Sequence, residues 1–257
     1  MRYIDVHCHL DGGFYGDIGE LISKLNAVGV QEVIAVGCNL DTSVFAREQS
    51  EKFPSVGFTV GIHPTELQDF DKNALVRLAE LAAHPRCVAI GEIGLDYHYP
   101  ETDKAAQRAA FTAQLELAHE LGLPVQIHSR DCAEDMLCLL KEKRELLKEG
   151  FLLHCYSHST EMSEEFLKLG AYFSFGGTST WSGSKKARRT IAALPSDRLL
   201  TETDSPYLAP KSRYGAFPNT PESIPEILGN MAAVRGVSAE EMSETVYKNA
   251  HALFGKL

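Results

Sequence analysis

The sequence predicts an α/β fold, a (β/α)8 TIM barrel formed by a single domain over residues 1–257. Short apolar runs alternate with longer amphipathic segments, which is typical of a parallel sheet buried on both faces. Eight such runs occur, and eight strand–helix units in about 250 residues is the usual size of a closed barrel. A doubly wound open sheet is the competing architecture. Its first strand is usually followed by a glycine-rich phosphate loop, whereas this one ends in His-Cys-His.

The predicted strands are rich in Val, Ile, Leu and Phe, and many end in glycine or a polar residue. They cover residues 3–9, 32–37, 56–61, 87–94, 124–129, 151–156, 171–177 and 199–204. Apolar residues at helical spacing predict helices over 18–28, 103–121, 132–148, 160–169 and 221–254. Asp103 is the expected N-cap of the second helix, and Gly122 follows its end.

Net charge, apolar runs and cysteine spacing restrict the partners and the cellular compartment that we expect for this protein. The formal net charge is -10, so a polyanionic ligand must be bound by local groups rather than by the field of the whole protein. No run approaches the roughly 18 apolar residues of a membrane span, and polar residues interrupt the first apolar run, so we expect neither a signal peptide nor a membrane partner. The six cysteines contain no CxxC pair and are expected to be reduced thiols of a cytoplasmic protein. No feature indicates an obligate protein partner.

The stretch IDVHCHLD, residues 4–11, places two histidines one residue apart in the first strand. Because successive side chains of a strand point to opposite faces, His7 and His9 share a face. Two adjacent imidazoles could be a buried hydrogen-bonded pair. They suit a metal site better, as two ligands of one ion.

Further polar residues stand at the ends of later strands, at intervals of one or two strand–helix units. In a barrel these ends meet at one rim, where barrel enzymes keep their chemistry. The set at this rim comprises His7, His9, His63, Glu92, His128, His154, Glu202 and Asp204.

Six of these groups are predicted metal ligands, and they are too many for one tetrahedral ion. They are His7, His9, Glu92, His128, His154 and Asp204. We therefore expect two divalent ions, which could be Zn, Mn, Mg or Fe. Glu92 is the expected bridging carboxylate. Asp204 is expected to bind one ion and to accept a proton from the activated water. Glu202 is expected to orient a metal ligand or the water without binding the metal itself, and the alternative is that it only forms an internal salt bridge.

Two residues are predicted to contact a substrate phosphate. His63 precedes Pro64 and could instead be a turn residue, while Arg130 could instead pair with Asp131. The basic run 184–189 is either a solvated helix face or a local positive field for a polyanion. Trp181 is either a packing residue or a stacking surface for a base.

Several motifs together resemble the TatD family of metal-dependent hydrolases, within the amidohydrolase superfamily. They are DVHCHLD (5–11), GIHP (61–64), AIGEIGLDY (89–97), PVQIHSRD (124–131), LLHCYS (152–157), YFSFGG (172–177), ETDSPYLAP (202–210) and NAHALFG (249–255). The resemblance implies a (β/α)8 barrel that hydrolyses phosphodiester bonds in DNA, as single strands or ends, with divalent metal at the six predicted ligands. The sequence departs from the family at His158, where many members have glycine, and in the loop 211–221.

The resulting functional prediction is a TatD-like deoxyribonuclease in which a hydroxide bridging two metal ions attacks phosphorus. One alternative keeps the metals and changes the bond to an amide, lactone or aminoacyl ester. Another alternative is a binding scaffold with an idle metal site.

Overall fold

The computed structural model describes residues 1–255 and all their side chains except that of Asp69. Eight parallel strands form one sheet, and strands adjacent in sequence are adjacent in space. They are β1 (Tyr3–Cys8), β2 (Val30–Val36), β3 (Val56–Val60), β4 (Cys87–Asp96), β5 (Val125–Arg130), β6 (Phe151–Leu153), β7 (Ala171–Phe175) and β8 (Leu199–Thr201). The predicted (β/α)8 barrel is confirmed. The assignment of residues 1–257 to one domain stays a prediction, and residues 256 and 257 lie outside the described part of the chain.

Hydrogen bonds between the segment that follows β8 and the end of β1, with the residue after it, close the barrel. The N–H of Asp204 donates to the carbonyl of His7 over 3.0 Å, and the N–H of His9 donates to the carbonyl of Ser205 over 2.7 Å. The buried carboxylate of Asp5 accepts backbone N–H bonds from both sides of this seam. The closure therefore fixes the histidine strand against the segment that carries Asp204.

Ten helices connect and cover the strands of the described chain. They are α1 (Gly12–Tyr15), α2 (Ile18–Ala27), α3 (Leu40–Lys52), α4 (Lys72–Ala82), α5 (Lys104–Leu121), α6 (Ala133–Glu142), α7 (Thr160–Leu167), α8 (Lys185–Ala193), α9 (Ile224–Arg235) and α10 (Ala239–Phe254). The side chain of Asp103 caps α5 by accepting the N–H of Ala106 over 3.0 Å, as the sequence predicts.

The segment 221–254, predicted as helical, forms the two helices α9 and α10, because Gly236 ends α9 in a left-handed conformation and Ser238 caps α10. The predicted helix over 132–148 also ends early, at Glu142, and a 3-10 turn follows it. Apolar periodicity does not reveal α3, because the residues on its buried face are mostly polar. They are Ser43, Ala46, Gln49 and Ser50.

Strand positions match the predictions more closely than strand ends. β6 ends at Leu153 and β8 at Thr201, so His154 and Asp204 lie just beyond their strands instead of within them. Among residues 1–255, no helix combines the length and the apolar character that crossing a membrane requires.

Candidate metal centre

The carboxyl ends of five strands bring the six predicted ligands together. His7, Glu92 and His128 lie on strands β1, β4 and β5, whereas the other three predicted ligands follow the ends of β1, β6 and β8. A cavity of about 780 Å³ opens at this rim, and five of the six ligands line it, while His7 lies beneath them and is fully buried.

The two oxygens of Glu92 face different groups of side chains. Its Oε1 lies 2.7 Å from Nε2 of His154 and 2.8 Å from Nδ1 of His128. Its Oε2 lies 3.5 Å from Nε2 of His7 and 3.5 Å from Sγ of Cys38. One carboxylate thus stands between two sets of candidate ligand atoms, which is the arrangement a bridging ligand requires.

Asp204 completes the set around His7 and His9. Its Oδ1 lies 3.3 Å from Nε2 of His9 and 3.8 Å from Nε2 of His7. The backbone of Asp204 has φ 52°, a left-handed conformation that costs free energy in a residue other than glycine. The hydrogen bond from its N–H to His7 maintains this conformation.

An unpaired buried nitrogen and two clusters of ligand atoms indicate that these groups fit divalent cations. Nε2 of His7 is buried and has no hydrogen-bond partner, although a buried polar atom normally has one. It belongs to a group with His9 and Asp204 in which one ligand atom from each residue lies within 4.8 Å of the others. His63, Glu92 and His128 form another such group. A cation would satisfy the unpaired nitrogen.

Two orienting residues escaped the sequence analysis. Gln126 accepts from Nδ1 of His7 over 2.9 Å and anchors its own amide on the carbonyl of Val6 over 2.8 Å. Asp96 lies 3.0 Å from Nε2 of His128. The strand period of two could have found both, because Gln126 lies two residues before His128 and Asp96 four residues after Glu92 on the same face.

Glu202 lies behind His154, away from the cavity. It is fully buried, its Oε2 accepts the hydroxyl of Ser174, and the same oxygen is 3.7 Å from Nδ1 of His154. This placement suits orientation of a ligand and keeps Glu202 away from any molecule in the cavity.

The cluster compensates its own charges. Burial alone would raise the pKa of Glu92, but the imidazoles of His154 and His63 and a hydrogen bond from His128 hold that pKa well below its usual range. Burial would lower the pKa of His154, but the carboxylates of Glu92 and Glu202 raise it well above its usual range. Glu92 is therefore anionic and suited to bind cations.

The two predicted phosphate contacts both line the cavity. Nε2 of His63 is 3.5 Å from Oε1 of Glu92, and burial lowers the pKa of His63 to about 4, so its ring is neutral at pH 7. Arg130 is exposed, and its guanidinium lies 6.0 Å from the ring centre of Tyr99. Asp131 pairs with His98 over 3.0 Å, and no carboxylate among the described side chains lies within salt-bridge distance of Arg130.

The cavity lining does not include Trp181, His158 or the basic run 184–189. Nε1 of Trp181 donates to the carbonyl of Ala209 over 2.9 Å, so this residue anchors a loop. Nε2 of His158 lies 2.8 Å from the hydroxyl of Ser129. In the basic run, Arg188 donates to the carbonyl of Trp181, and Arg189 pairs with Glu161.

A family model described as TatD related DNase matches residues 4–255, a range that holds every candidate ligand. The chain belongs to the TatD family. As a member of this family the protein is a metal-dependent hydrolase, and the resemblance seen in the sequence is confirmed.

Relatives with similar sequences support this membership. The chain is 36% identical over 251 residues to the uncharacterized metal-dependent hydrolase YabD of Bacillus subtilis strain 168, covering 97% of this chain and 98% of that protein. It is 34% identical over 249 residues to the 3′-5′ ssDNA/RNA exonuclease TatD of Klebsiella pneumoniae strain 342, and the match covers 94% of this chain and 93% of that protein. The crystal structure of YJJV, a TatD homolog from Escherichia coli K12, superposes with a TM-score of 0.93 at 29% identity. The superposition covers 99% of this chain and 98% of that structure.

Proposed function

We propose that this TatD-family hydrolase cleaves phosphodiester bonds in single-stranded DNA or at DNA ends, with two divalent cations. The observation that carries the proposal is the position of Glu92, whose two oxygens face separate sets of ligand atoms. A relative named as a 3′-5′ ssDNA/RNA exonuclease, at 34% identity, supports nucleic acid as the substrate class.

The proposed ligands divide between the two faces of Glu92. His7, His9 and Asp204 would hold one cation, and His128 and His154 would hold the other. When bound, the cations supply positive charge to the phosphoryl oxygen and make a bound water more acidic.

The protein's own groups then act around the reacting phosphate. Asp204, ionised and at the cavity wall, accepts the proton that water releases on attack. Glu202, Gln126 and Asp96 hold the imidazoles of three ligands in orientation. Arg130 donates to the phosphate oxygens, and His63 contacts the same phosphate as a neutral hydrogen-bonding group.

Aromatic rings at the cavity rim favour an unpaired strand as the substrate. Phe14 and Tyr207 line the cavity and are 39% and 49% exposed, and the exposed ring of Phe217 packs edge-to-face on Phe14 at 5.3 Å. Exposed rings on which bases can stack are a common feature of proteins that bind single strands.

The test is a substrate panel with protein that has been stripped of metal and reloaded with zinc, manganese, magnesium or iron. We expect metal-dependent hydrolysis of bis(p-nitrophenyl) phosphate and of single-stranded oligonucleotides. Hydrolysis of amide, lactone or aminoacyl-ester substrates alone would contradict the proposal. Two ions per chain are expected by elemental analysis.

A variant pair separates catalysis from binding alone. Asp204→Asn should lower turnover by at least about a thousandfold, because it removes the proton acceptor and an anionic ligand. Asp197→Asn is the matched control, since that side chain is 70% exposed and precedes β8, at the opposite end of the strand from Asp204. Equal turnover in the two variants would indicate an idle metal site or a contaminating nuclease.

A further inference from the structure

Cys38 lies inside the candidate metal centre, although its sequence context gives no sign of a metal ligand. It follows β2, at the same rim as the predicted ligands, and it lines the cavity. Its Sγ is 3.5 Å from Oε2 of Glu92 and 3.7 Å from Nδ1 of His9. The three residues form a group whose ligand atoms lie within 4.8 Å of one another.

The separation of Sγ from Oε2 of Glu92 matches two ligand atoms around one cation, because an oxygen at about 2.1 Å and a sulfur at about 2.3 Å from one Zn²⁺ stand about 3.6 Å apart at a tetrahedral angle. The contact with Nδ1 of His9 places the thiol beside the ring whose Nε2 faces Asp204. A second observation points to a cation on this side of Glu92. The buried Nε2 of His7, which has no hydrogen-bond partner, lies 3.5 Å from the same Oε2 that Cys38 approaches.

The backbone holds the thiol in this position. The N–H of Cys38 donates to the hydroxyl of Thr42 over 2.8 Å, and its carbonyl accepts the N–H of His63 over 2.8 Å. The N–H of Glu92 donates to the carbonyl of Gly37 over 2.8 Å, so the segments that carry the thiol and the carboxylate are directly linked. These bonds fix the backbone of Cys38 at the rim, so Sγ can reach the cluster without movement of the main chain.

We infer that Cys38 is a further metal ligand, which binds the cation on the Oε2 side of Glu92 as a thiolate. The inference rests on the proposed metal centre and goes beyond it by selecting the metal. Thiolate favours Zn²⁺ and other thiophilic ions such as Co²⁺ and Cd²⁺, whereas Mg²⁺ prefers oxygen ligands. This side of the centre is therefore selective for zinc-like ions over magnesium.

The decisive test is the absorption spectrum of the full chain reloaded with Co²⁺. A cobalt–thiolate bond gives a charge-transfer band in the near ultraviolet that nitrogen and oxygen ligands do not give. We expect the band in the parent protein and in Cys138→Ser, since Cys138 is an exposed cysteine on α6. We expect its loss in Cys38→Ser and in Cys38→Ala. A parent protein without the band, or a band that persists in both Cys38 variants, overturns the inference.

Metal affinities give a second readout that does not use activity. Cys38→Ser should weaken Zn²⁺ and Cd²⁺ binding by at least about tenfold in chelator competition, while Mn²⁺ affinity changes by less than about threefold. Equal losses of affinity for all three ions would show that Cys38 is a packing residue. Circular dichroism shows whether the variant is folded.

Assays on single-stranded DNA keep the two proposals distinguishable. DNA hydrolysis by a parent protein that lacks the cobalt–thiolate band refutes the cysteine ligand and leaves the proposed function standing. The band in a protein that hydrolyses no phosphodiester supports the ligand and refutes the proposed function.

Discussion

At the residue scale, Glu92 shows how the cluster stabilises a buried carboxylate and still remains suited to bind cations. Burial of a carboxylate costs free energy unless charges or hydrogen bonds compensate. Here imidazoles from His128, His154 and His63 surround Oε1 and keep the pKa of Glu92 low. A neutral imidazole can bind a metal ion, so His128 and His154, which stabilise the carboxylate, also suit cation binding.

His63 could be either a phosphate contact or a metal ligand, because its Nε2 lies near both Glu92 and the open cavity. If it contacts phosphate, His63→Ala should keep two ions per chain and lower kcat/KM for single-stranded DNA by about 10–100-fold, the value of a hydrogen bond to a charged group. Elemental analysis and steady-state kinetics measure both. His119→Ala, at an exposed position on α5, is the matched control. Loss of an ion would make His63 a ligand.

The six predicted ligands could be found from sequence because each is a metal-binding residue type at a strand end, spaced by whole barrel units. Asp96 and Gln126 escaped because their roles depend on which nitrogen of a neighbouring imidazole they meet. Cys38 escaped because a cysteine without a CxxC pair is typical of buried packing. Strand β3 separates β2 from β4, and the thiol meets Glu92 because the segment that follows β2 bonds directly to β4, through the N–H of Glu92 and the carbonyl of Gly37.

At the element scale, the close approach of β4 to β5 depends on glycine. Gly94 has φ 150°, and a Cβ at this position would collide with the carbonyl of His128. Gly94→Ala should therefore lower the free energy of unfolding by about 2–4 kcal/mol and reduce the number of bound ions. Denaturant unfolding and elemental analysis are the measurements.

Gly229, within α9, is the matched control for this prediction. A Cβ there would meet nothing within 4 Å, so Gly229→Ala should raise the free energy of unfolding by about 0.5–1 kcal/mol through helix propensity alone. A loss of stability in Gly94→Ala no larger than that of an ordinary surface substitution would show that β4 can move away from β5 at little cost.

The rim elements provide a test of the stacking surface. Phe14→Ala on α1 should raise KM for single-stranded DNA by about 5–100-fold, because stacking contributes about 1–3 kcal/mol per base. Tyr214→Ala is the matched control, since this ring is 71% exposed but packs on Trp181 outside the cavity lining. On an oligonucleotide with abasic terminal nucleotides, parent and Phe14→Ala should become equal. A defect that persists there would contradict stacking.

The positions of α2 and α5 followed from the sequence because one face of each helix is apolar. Element ends did not follow, since they depend on caps and on the sheet register. The predicted strand runs to Asp204, but the chain leaves β8 after Thr201 and bonds with β1 at the seam. This departure is what delivers Asp204 to the histidines.

At the scale of the whole molecule, the protein has a net charge of -10, so the proposed polyanionic substrate would have to be bound by local groups. The basic run 184–189 contributes less than its composition suggests. Arg188 is bound to the carbonyl of Trp181, and Arg189 is paired with Glu161. In the proposed complex, positive charge for the phosphates would therefore come mainly from Arg130 and the cations.

The salt dependence of KM for single-stranded DNA measures this distribution of charge. If about two phosphates are neutralised, KM should rise about sevenfold between 50 and 200 mM salt, whereas six phosphates in a basic groove would give about 300-fold. Arg130→Gln should reduce the slope of log KM against log salt by about 0.7, because one ionic contact is lost. Lys185→Gln with Lys186→Gln should leave the slope unchanged if the run is a solvated face of α8. A steep slope in the parent protein, flattened by the two lysine substitutions, would instead place the DNA along α8.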